Sequence, residues 1–393
     1  MSGCTVDFPI YGITSIDNVR VALCGGGGGM KSGVPNVVEV YDTRGKGMVL
    51  SYRYDCESVA PTCIAAHPGE PILAVGVDHN LLILEIEKKQ KLNKQVPTLK
   101  KIFEREVVKV TKNAEIVKCV TFCCFGEKLV TVGEDHSITI WEYPSMVKRW
   151  RLTQHLSEVT QVTAHTMGEP EIVTSTRSSE CFVWDVETGM QKGQLKYAGT
   201  VPNAKYRYRN IRYGPLGETF YSVIVPVAWS NKTSFSHLVK YDTTTTPWSI
   251  TREYAVRGEP LSELAISSDE TFVATSSSNG HVYIFDAHTL GLRRRIFEAH
   301  GLFVTGLCFT SSHADDQFKL LSVSADRECK VHNPHVADPV RFLKAALIVL
   351  LFIGALYLIF CFLSSSDLLP HIDDFDNDPI AEDHHEHSHH NEL

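Results

Sequence analysis

The sequence predicts an all-β ring of seven four-stranded blades followed by a single C-terminal transmembrane helix. Three observations carry this expectation. A turn-and-strand pattern recurs seven times, the first of these hairpins is interrupted by five consecutive glycines, and one uncharged apolar stretch lies near the end of the 393-residue chain.

The repeat comes first. Gly76-Val-Asp-His-Asn-Leu-Leu-Ile-Leu-Glu85 matches Gly133-Glu-Asp-His-Ser-Ile-Thr-Ile-Trp-Glu142. The runs ending at Asp185, Asp286 and Asn333 share the form: a polar turn, alternating β-formers, a large residue, then an acid or amide. Tyr41-Asp42 and Tyr241-Asp242 close two more such strands. The end positions 42, 85, 142, 185, 242, 286 and 333 lie 43, 57, 43, 57, 44 and 47 residues apart. A period of about 40–45 residues with a Trp-Asp-like ending is the signature of WD40 repeats, one four-stranded blade each. The two long intervals imply insertions near residues 88–116 and 195–235.

Seven blades need seven complete strand sets. After Asn333 too few residues remain for a last outer strand, so the segment Cys4 to Phe8 is expected to supply it and close the ring. Closure matters because an open propeller would expose a flat strand edge. The run Tyr206 to Tyr213 alternates aromatic and basic residues, as a nucleic-acid platform does. One strand with two unlike faces gives the same alternation, and we read it as such. The Lys-rich run between Lys88 and Lys94 reads as a solvated hairpin extension.

The first hairpin departs from the pattern. Val19 to Cys24 and Val37 to Tyr41 read as strands, yet a loop of roughly ten residues joins them, near the upper end for hairpins. The six later hairpins are expected to close in about four. The loop holds Gly25 to Gly29, then Met30-Lys31-Ser32-Gly33. Glycine carries the largest ordering entropy and reaches backbone angles closed to other residues. Five in a row point to backbone that approaches something closely, offering bare N–H and C=O groups to an ion or a partner. The carbonyls of Gly27, Gly28 and Gly29 would suit a monovalent cation.

Familiar nucleotide motifs do not fit this loop. A phosphate-binding G-x-x-x-x-G-K-[ST] loop would need glycine where Met30 stands, and Gly33-Val-Pro35 cannot open a helix. No register of Gly25 to Gly29 completes G-x-G-x-x-G, and no βαβ unit follows. Within residues 1–340, G-x-S-x-G and H-E-x-x-H are missing. The pairs Asp78-His79 and Asp135-His136 recur at one blade position and read as turn structure, not acid–base machinery. No covalent chemistry is expected.

Residues Ala345 to Leu363 carry no charge. Nineteen helical residues rise about 28 Å, close to the roughly 30 Å hydrocarbon core. Arg341 and Lys344 precede the span, while Asp367, Asp373, Asp374, Asp376 and Asp378 follow it without any Lys or Arg. The positive-inside rule then puts the propeller, residues 1–340, in the cytosol and the tail, 364–393, in the lumen, with 341–363 the basic flank and span. The first ten residues lack a basic and an apolar region, so no cleavable signal peptide is expected. Eleven scattered cysteines without a C-x-x-C pair fit a reducing compartment. A net charge of -8 argues against a nucleic-acid partner.

Together, Gly26-Gly27-Gly28-Gly29-Met30-Lys31-Ser32-Gly33-Val34-Pro35-Asn36, a WD40-like propeller and a C-terminal span resemble one family. It is the endoplasmic-reticulum guanine-nucleotide exchange factors of the COPII coat GTPase, the prolactin regulatory element-binding protein family. The resemblance implies an exchange loop made by Gly26, Gly27, Gly28, Gly29, Lys31, Gly33 and Asn36. It implies a potassium ion bound there, a small GTPase of the COPII coat as partner, and an endoplasmic-reticulum membrane location. Gly25 is one glycine more than the family pattern has. Such exchange is a differential-binding effect: a factor that prefers the nucleotide-free GTPase weakens its hold on GDP.

The tail agrees. His384 to His390 belong to an acidic, His-rich segment expected to be solvated and disordered. The last four residues, His390-Asn391-Glu392-Leu393, resemble the H-D-E-L address read by a lumenal retrieval receptor. The alternative to an exchange factor is a non-catalytic propeller scaffold tethered to the reticulum. A scaffold has no reason to keep the glycine loop.

Overall fold

The structure, a computed structural model, describes residues 3–45, 47–87, 96–109, 115–165, 169–199, 204–311, 317–336 and 339–365. The chain divides into two compact units, Met1–Asp338 and Pro339–Leu393.

The first unit is all β. Among the described residues its strands form seven four-stranded antiparallel sheets. Blade 1 runs outward through Ile10–Ser15, Arg20–Gly25, Val37–Asp42 and Val49–Asp55. Blades 2 to 6 repeat this order from their innermost strands Pro61–Ala66, Val117–Cys123, Val159–Ala164, Tyr206–Tyr213 and Leu261–Ile266. Blade 7 is composite: Val304–Ser311, Phe318–Ser324 and Glu328–His332 take Cys4–Thr5 as their outer strand. Cys4 lies opposite Cys329 and Thr5 opposite Glu328, and Val6 N–H adds a bond to Arg327 O at 2.9 Å. The N-terminal strand thus closes the ring, over two residues of the expected five.

The core lies between blades, not within them. One apolar cluster joins Phe8, Ile10, Val21, Leu23 and Val37 to Leu321, Val323 and Cys329, which are blades 1 and 7. Another joins Ala22, Val38 and Val40 to Leu73, Val75 and Leu82, which are blades 1 and 2. Middle strands are therefore buried on both faces and read as nearly continuous apolar runs, such as Ile72–Val77. A single blade cannot cover its own faces, which is why the repeat has to be stacked.

Polar ties fasten the connections between blades. Thr174 Oγ1 accepts from Trp184 Nε1 at 2.8 Å and meets His155 Nε2 at 2.8 Å. Trp141 Nε1 donates to Thr131 Oγ1 at 3.0 Å. The Trp of the repeat is thus explained by an indole that packs in the core and still finds an acceptor. Asp135 Oδ1 accepts from Ser137 N and Oγ, and His79 pairs with Asp78 at 2.9 Å inside a two-residue turn. Both Asp-His pairs are turn structure, as read.

Two local expectations change. The fifth blade's hairpin between Thr219–Pro226 and Phe235–Asp242 does not close in about four residues; residues 227–234 form a longer connection. It is shaped by its own bonds, Ser230 N–H to Ser234 Oγ at 2.8 Å and Trp229 Nε1 to Asn231 Oδ1 at 2.5 Å. Tyr206–Tyr213 is one strand, but its alternation breaks at a bulge between Tyr208 and Asn210. The Lys88–Lys94 run lies outside the described residues.

The second unit holds a 27-residue helix, Pro339–Ser365. Side chains are described for residues 349–362 of it, all uncharged. Among the described residues no helix is long and apolar enough to cross a membrane. The tail from 366 onward, with His390 to Leu393, lies outside the described residues.

Candidate functional site

The first-blade hairpin ladder ends at the pair Gly25 and Val37. Between them, Gly26 to Asn36 leave the sheet and return. Strands alternate in direction, so this loop shares a rim with every connection that leads into an innermost strand. Its neighbours on that rim are the segment before Ile10 and the turn after Asp55.

Asn36 organises the loop. It is 2% exposed. Its Nδ2 donates to Gly28 O at 2.6 Å and to Glu57 O at 3.0 Å, while its Oδ1 accepts from Gly28 N–H at 3.0 Å. Its own carbonyl accepts from Cys56 N–H at 2.7 Å. Gly26 N–H reaches Pro9 O at 3.0 Å. The tip is a short 3-10 turn, Met30–Ser32, with Ser32 N–H on Gly29 O at 3.0 Å and Ser32 Oγ accepting from Val34 N–H at 3.2 Å. A buried amide that uses both its halves here satisfies three backbone groups at once.

The six glycines of the loop fall into three groups. A Cβ on Gly25 would lie 2.0 Å from Pro9 O, on Gly26 2.2 Å from Asn36 Oδ1, and on Gly27 2.5 Å from Val34 Cβ. These three are glycine because other atoms occupy the space. Gly28 has φ +79° and Gly33 φ +70°, with open space where a Cβ would point. They are glycine for the left-handed backbone. Gly29 has φ -58° and nothing within 4 Å, so no local constraint explains it. Lys31, Ser32 and Gly33 are exposed at the tip.

Beneath the loop, Glu39 is buried on the returning strand. Tyr41 Oη donates to its Oε2 at 2.5 Å and Arg53 Nη1 to its Oε1 at 3.0 Å. Burial raises the Glu39 carboxyl, with Tyr41 and Arg53 opposing. This is support for the strand, since the carboxylate is consumed by its partners.

The expected site residues thus fall in two sets. Gly26, Gly27, Gly28 and Asn36 are brought together, while Gly29, Lys31 and Gly33 form the exposed tip. For the cation set, Gly28 O already accepts from Asn36 and Gly29 O from Ser32. Among the described residues nothing donates to Gly26 O or Gly27 O. The donors on offer are neutral carbonyl oxygens, the chemistry that suits a weakly hydrated monovalent cation.

Sequence reasoning missed the apolar side chains on this rim. Phe297, Leu302 and Phe303 are more than half or about half exposed, at 60%, 50% and 53%, in the connection from blade 6 to blade 7. An aromatic pair in a long connection was their only signal. The 620 Å³ cavity inside the ring, lined by residues such as Gly12, Cys63, Cys119, Arg212 and Glu263, gathers no acid–base or nucleophilic set. His300, Asp326 and Glu328 place ligand-type atoms within 4.8 Å of one another. Both His300 nitrogens are engaged, Nδ1 with Asp326 at 3.0 Å and Nε2 with Ser322 at 2.7 Å, so the group is a blade tie.

The fold and its repeats define the class, a seven-bladed propeller with WD40 repeats. The family described as "WD domain, G-beta repeat" matches residues 105–142 and 253–286. Each match runs from the outer strand of one blade to the third strand of the next. The chain is also 25% identical over 408 residues to "Guanine nucleotide-exchange factor SEC12" of Rattus norvegicus, covering 91% of this chain and 96% of the relative. It is 25% identical over 374 residues to the Mus musculus protein of that name, covering 83% and 88%. The resemblance drawn from the glycine loop and apolar tail is borne out by these relatives.

Proposed function

We propose that this chain is a guanine-nucleotide exchange factor for the small GTPase that initiates COPII budding, acting through the loop Gly26–Asn36. The observation that supports it is the fastened loop itself. A glycine run normally costs much entropy to order, but here Asn36 holds Gly28 by both its N–H and its C=O. A pre-ordered loop binds without that cost. Pressed against a GTPase switch, it favours the nucleotide-free form over the GDP-bound form, and GDP affinity falls by that differential. No bond to the nucleotide is made or broken by the protein.

Potassium at the glycine carbonyls would stiffen the same loop. The unused oxygens of Gly26 and Gly27, with the second lone pair of Gly28 O, are the donors we assign to it. Lys31 and the exposed apolar group Phe297, Leu302 and Phe303 supply contact surface on the same rim. The span 345–363 would hold the propeller at the cytosolic face of the endoplasmic reticulum, with the tail and its His390-Asn391-Glu392-Leu393 ending in the lumen.

The test is release of labelled GDP from the COPII GTPase by the full chain in liposomes. Release should accelerate strongly with the wild-type protein. It should not accelerate when residues 26–36 are replaced by Asn-Gly, a turn that closes a two-residue hairpin at the Gly25–Val37 pair. No acceleration by the intact protein would overturn the reading and leave a tethered scaffold.

A further inference from the structure

The innermost strand of blade 5 carries three arginines, and two of them make no hydrogen bond or close ion pair with a described residue, although Arg209 acts on the buried Glu263. Arg212 lies near Glu263, whose Oε2 also accepts from Asn210 Nδ2 at 3.2 Å. Arg207 and Arg209 form no ion pair or hydrogen bond with any described residue. Arg207 is half-buried, and its Nε is fully enclosed without an acceptor. An enclosed donor left unmet is destabilising, and a ligand that accepts from it would remove that cost.

The backbone sets the pair. Tyr208 faces Ile224 and Asn210 faces Val223, which leaves Arg209 as the extra residue of the bulge. Bulges re-aim a side chain away from the regular pleat. Arg209 is exposed, and Tyr206 pairs with Pro226 at the rim end of the strand, so Arg207 and Arg209 sit at the rim that carries the glycine loop.

The surroundings do not neutralise them. Arg177, on the adjacent turn of blade 4, pairs with Glu158 at 3.2 Å, and Lys118 bridges Glu134 at 2.7 Å and Glu158 at 3.2 Å. With Arg212 and the buried Glu263, on which both Arg212 and Arg209 act, five cations stand against three carboxylates, each already shared. Burial lowers the Arg207 pKa, and the charges of Arg209 and Arg177 lower it further. This surplus of two positive charges stands on a chain whose net charge is -8.

We propose that Arg207 and Arg209 form a binding site for a phosphate dianion at the rim between blades 4 and 5. Guanidinium forks match tetrahedral oxyanions in paired hydrogen bonds. A phosphate near neutral pH carries roughly two negative charges, which meets the local surplus, whereas a carboxylate carries one. The site is independent of the exchange reading.

The experiment titrates the full chain in detergent micelles with inorganic phosphate, phenyl phosphate or succinate at constant ionic strength. Binding of the two phosphates is read by ³¹P line broadening, and of succinate by ¹H line broadening. Wild type should bind phosphate saturably, and Arg207→Gln with Arg209→Gln should lose at least about tenfold in affinity. Arg209→Lys should retain part of it. If the double variant does not fold, Arg209→Gln alone, at an exposed position, decides. Phenyl phosphate binding as well marks an ester-bound phosphate as the natural source; its exclusion marks the free ion. Succinate binding as tight as phosphate, or phosphate binding indifferent to both arginines, overturns the proposal.

Discussion

Asn36 and Gly28 pair as two residues of an antiparallel ladder would, except that one partner is a side chain. Nδ2 gives to Gly28 O at 2.6 Å and Oδ1 takes from Gly28 N–H at 3.0 Å. This is the two-way exchange of a hydrogen-bonded strand pair. The hairpin ladder ends at Gly25, and the amide continues it one step into the loop. The loop can then project from the sheet and still be ordered.

Asn36→Ala should therefore disarm the loop more than it harms the propeller. It strands Gly28 N–H, Gly28 O and Glu57 O, costing about 1–3 kcal/mol if they stay buried. Stimulated GDP release is expected to drop at least about tenfold, with a melting temperature lowered by only a few degrees. Stopped-flow release and a thermal melt on one preparation separate the two effects. An equal loss of both would point to global damage.

The glycines should not be equivalent. Gly29→Ala meets open space at φ -58° and is expected to be nearly silent in exchange. Gly28→Ala and Gly33→Ala force a Cβ into the left-handed region, at about 1–2 kcal/mol each. Gly26→Ala and Gly27→Ala drive a Cβ into Asn36 and Val34 and should damage the loop most. Release rates across the five variants check this order, and a damaging Gly29→Ala would contradict it.

Removing residues 1–8 should open the ring. The deletion takes away Cys4–Thr5 and the buried Phe8, and exposes the Glu328–His332 edge. Burial of one phenylalanine alone is worth about 1.5–3 kcal/mol. A lower melting temperature and concentration-dependent aggregation are expected, since a bare edge pairs with other chains. Light scattering during the melt reads both.

Acid should weaken blade 7 through a histidine. His332 is buried, with Nε2 on Ser322 Oγ at 2.7 Å. Burial, then the charges of His300, Arg294 and Lys330, hold its imidazole down to about 3 from 6.5. The unfolded chain binds the proton from pH 6.5 downward while the folded chain does not. Stability is thus full above 6.5 and falls as pH drops toward 3, by up to about 1.4 kcal/mol per pH unit for this one group. His332→Gln should flatten the dependence of melting temperature on pH in that window. An unchanged slope would remove His332 as a cause.

Potassium should matter only through the loop. Exchange in potassium buffer is expected to run faster than in a buffer where a large organic cation replaces it at equal ionic strength. The Asn-Gly replacement of residues 26–36 should be indifferent to the change. Equal rates for wild type in both buffers would dismiss the ion.

Much of the propeller was legible in the chain because a repeat is a local code. The turn, the alternating run and the closing aromatic-acid pair recur wherever the same blade must be built, as at Glu142, Asp185 and Asp286. The need for a closing strand followed from counting strands. The long interval predicts an insertion near 195–235, but its lengthening of the hairpin at 227–234 and the bulge at Arg209 escaped, because each depends on hydrogen bonds between residues whose side chains give no periodic signal.

The sequence by itself determined the seven-fold repeat, the apolar stretch 345–363 and the position of an unusual glycine loop. Composition and spacing along one dimension suffice for those. Only the tertiary structure decided what most of these glycines are for, that Asn36 is the fastener, and that Arg207 and Arg209 lack hydrogen-bond partners among the described residues. Those facts arise where Pro9, Glu57 and Val34, or blades 4 and 5, meet in space. Close approach and charge balance are properties of neighbours through space, which the order of residues alone does not specify.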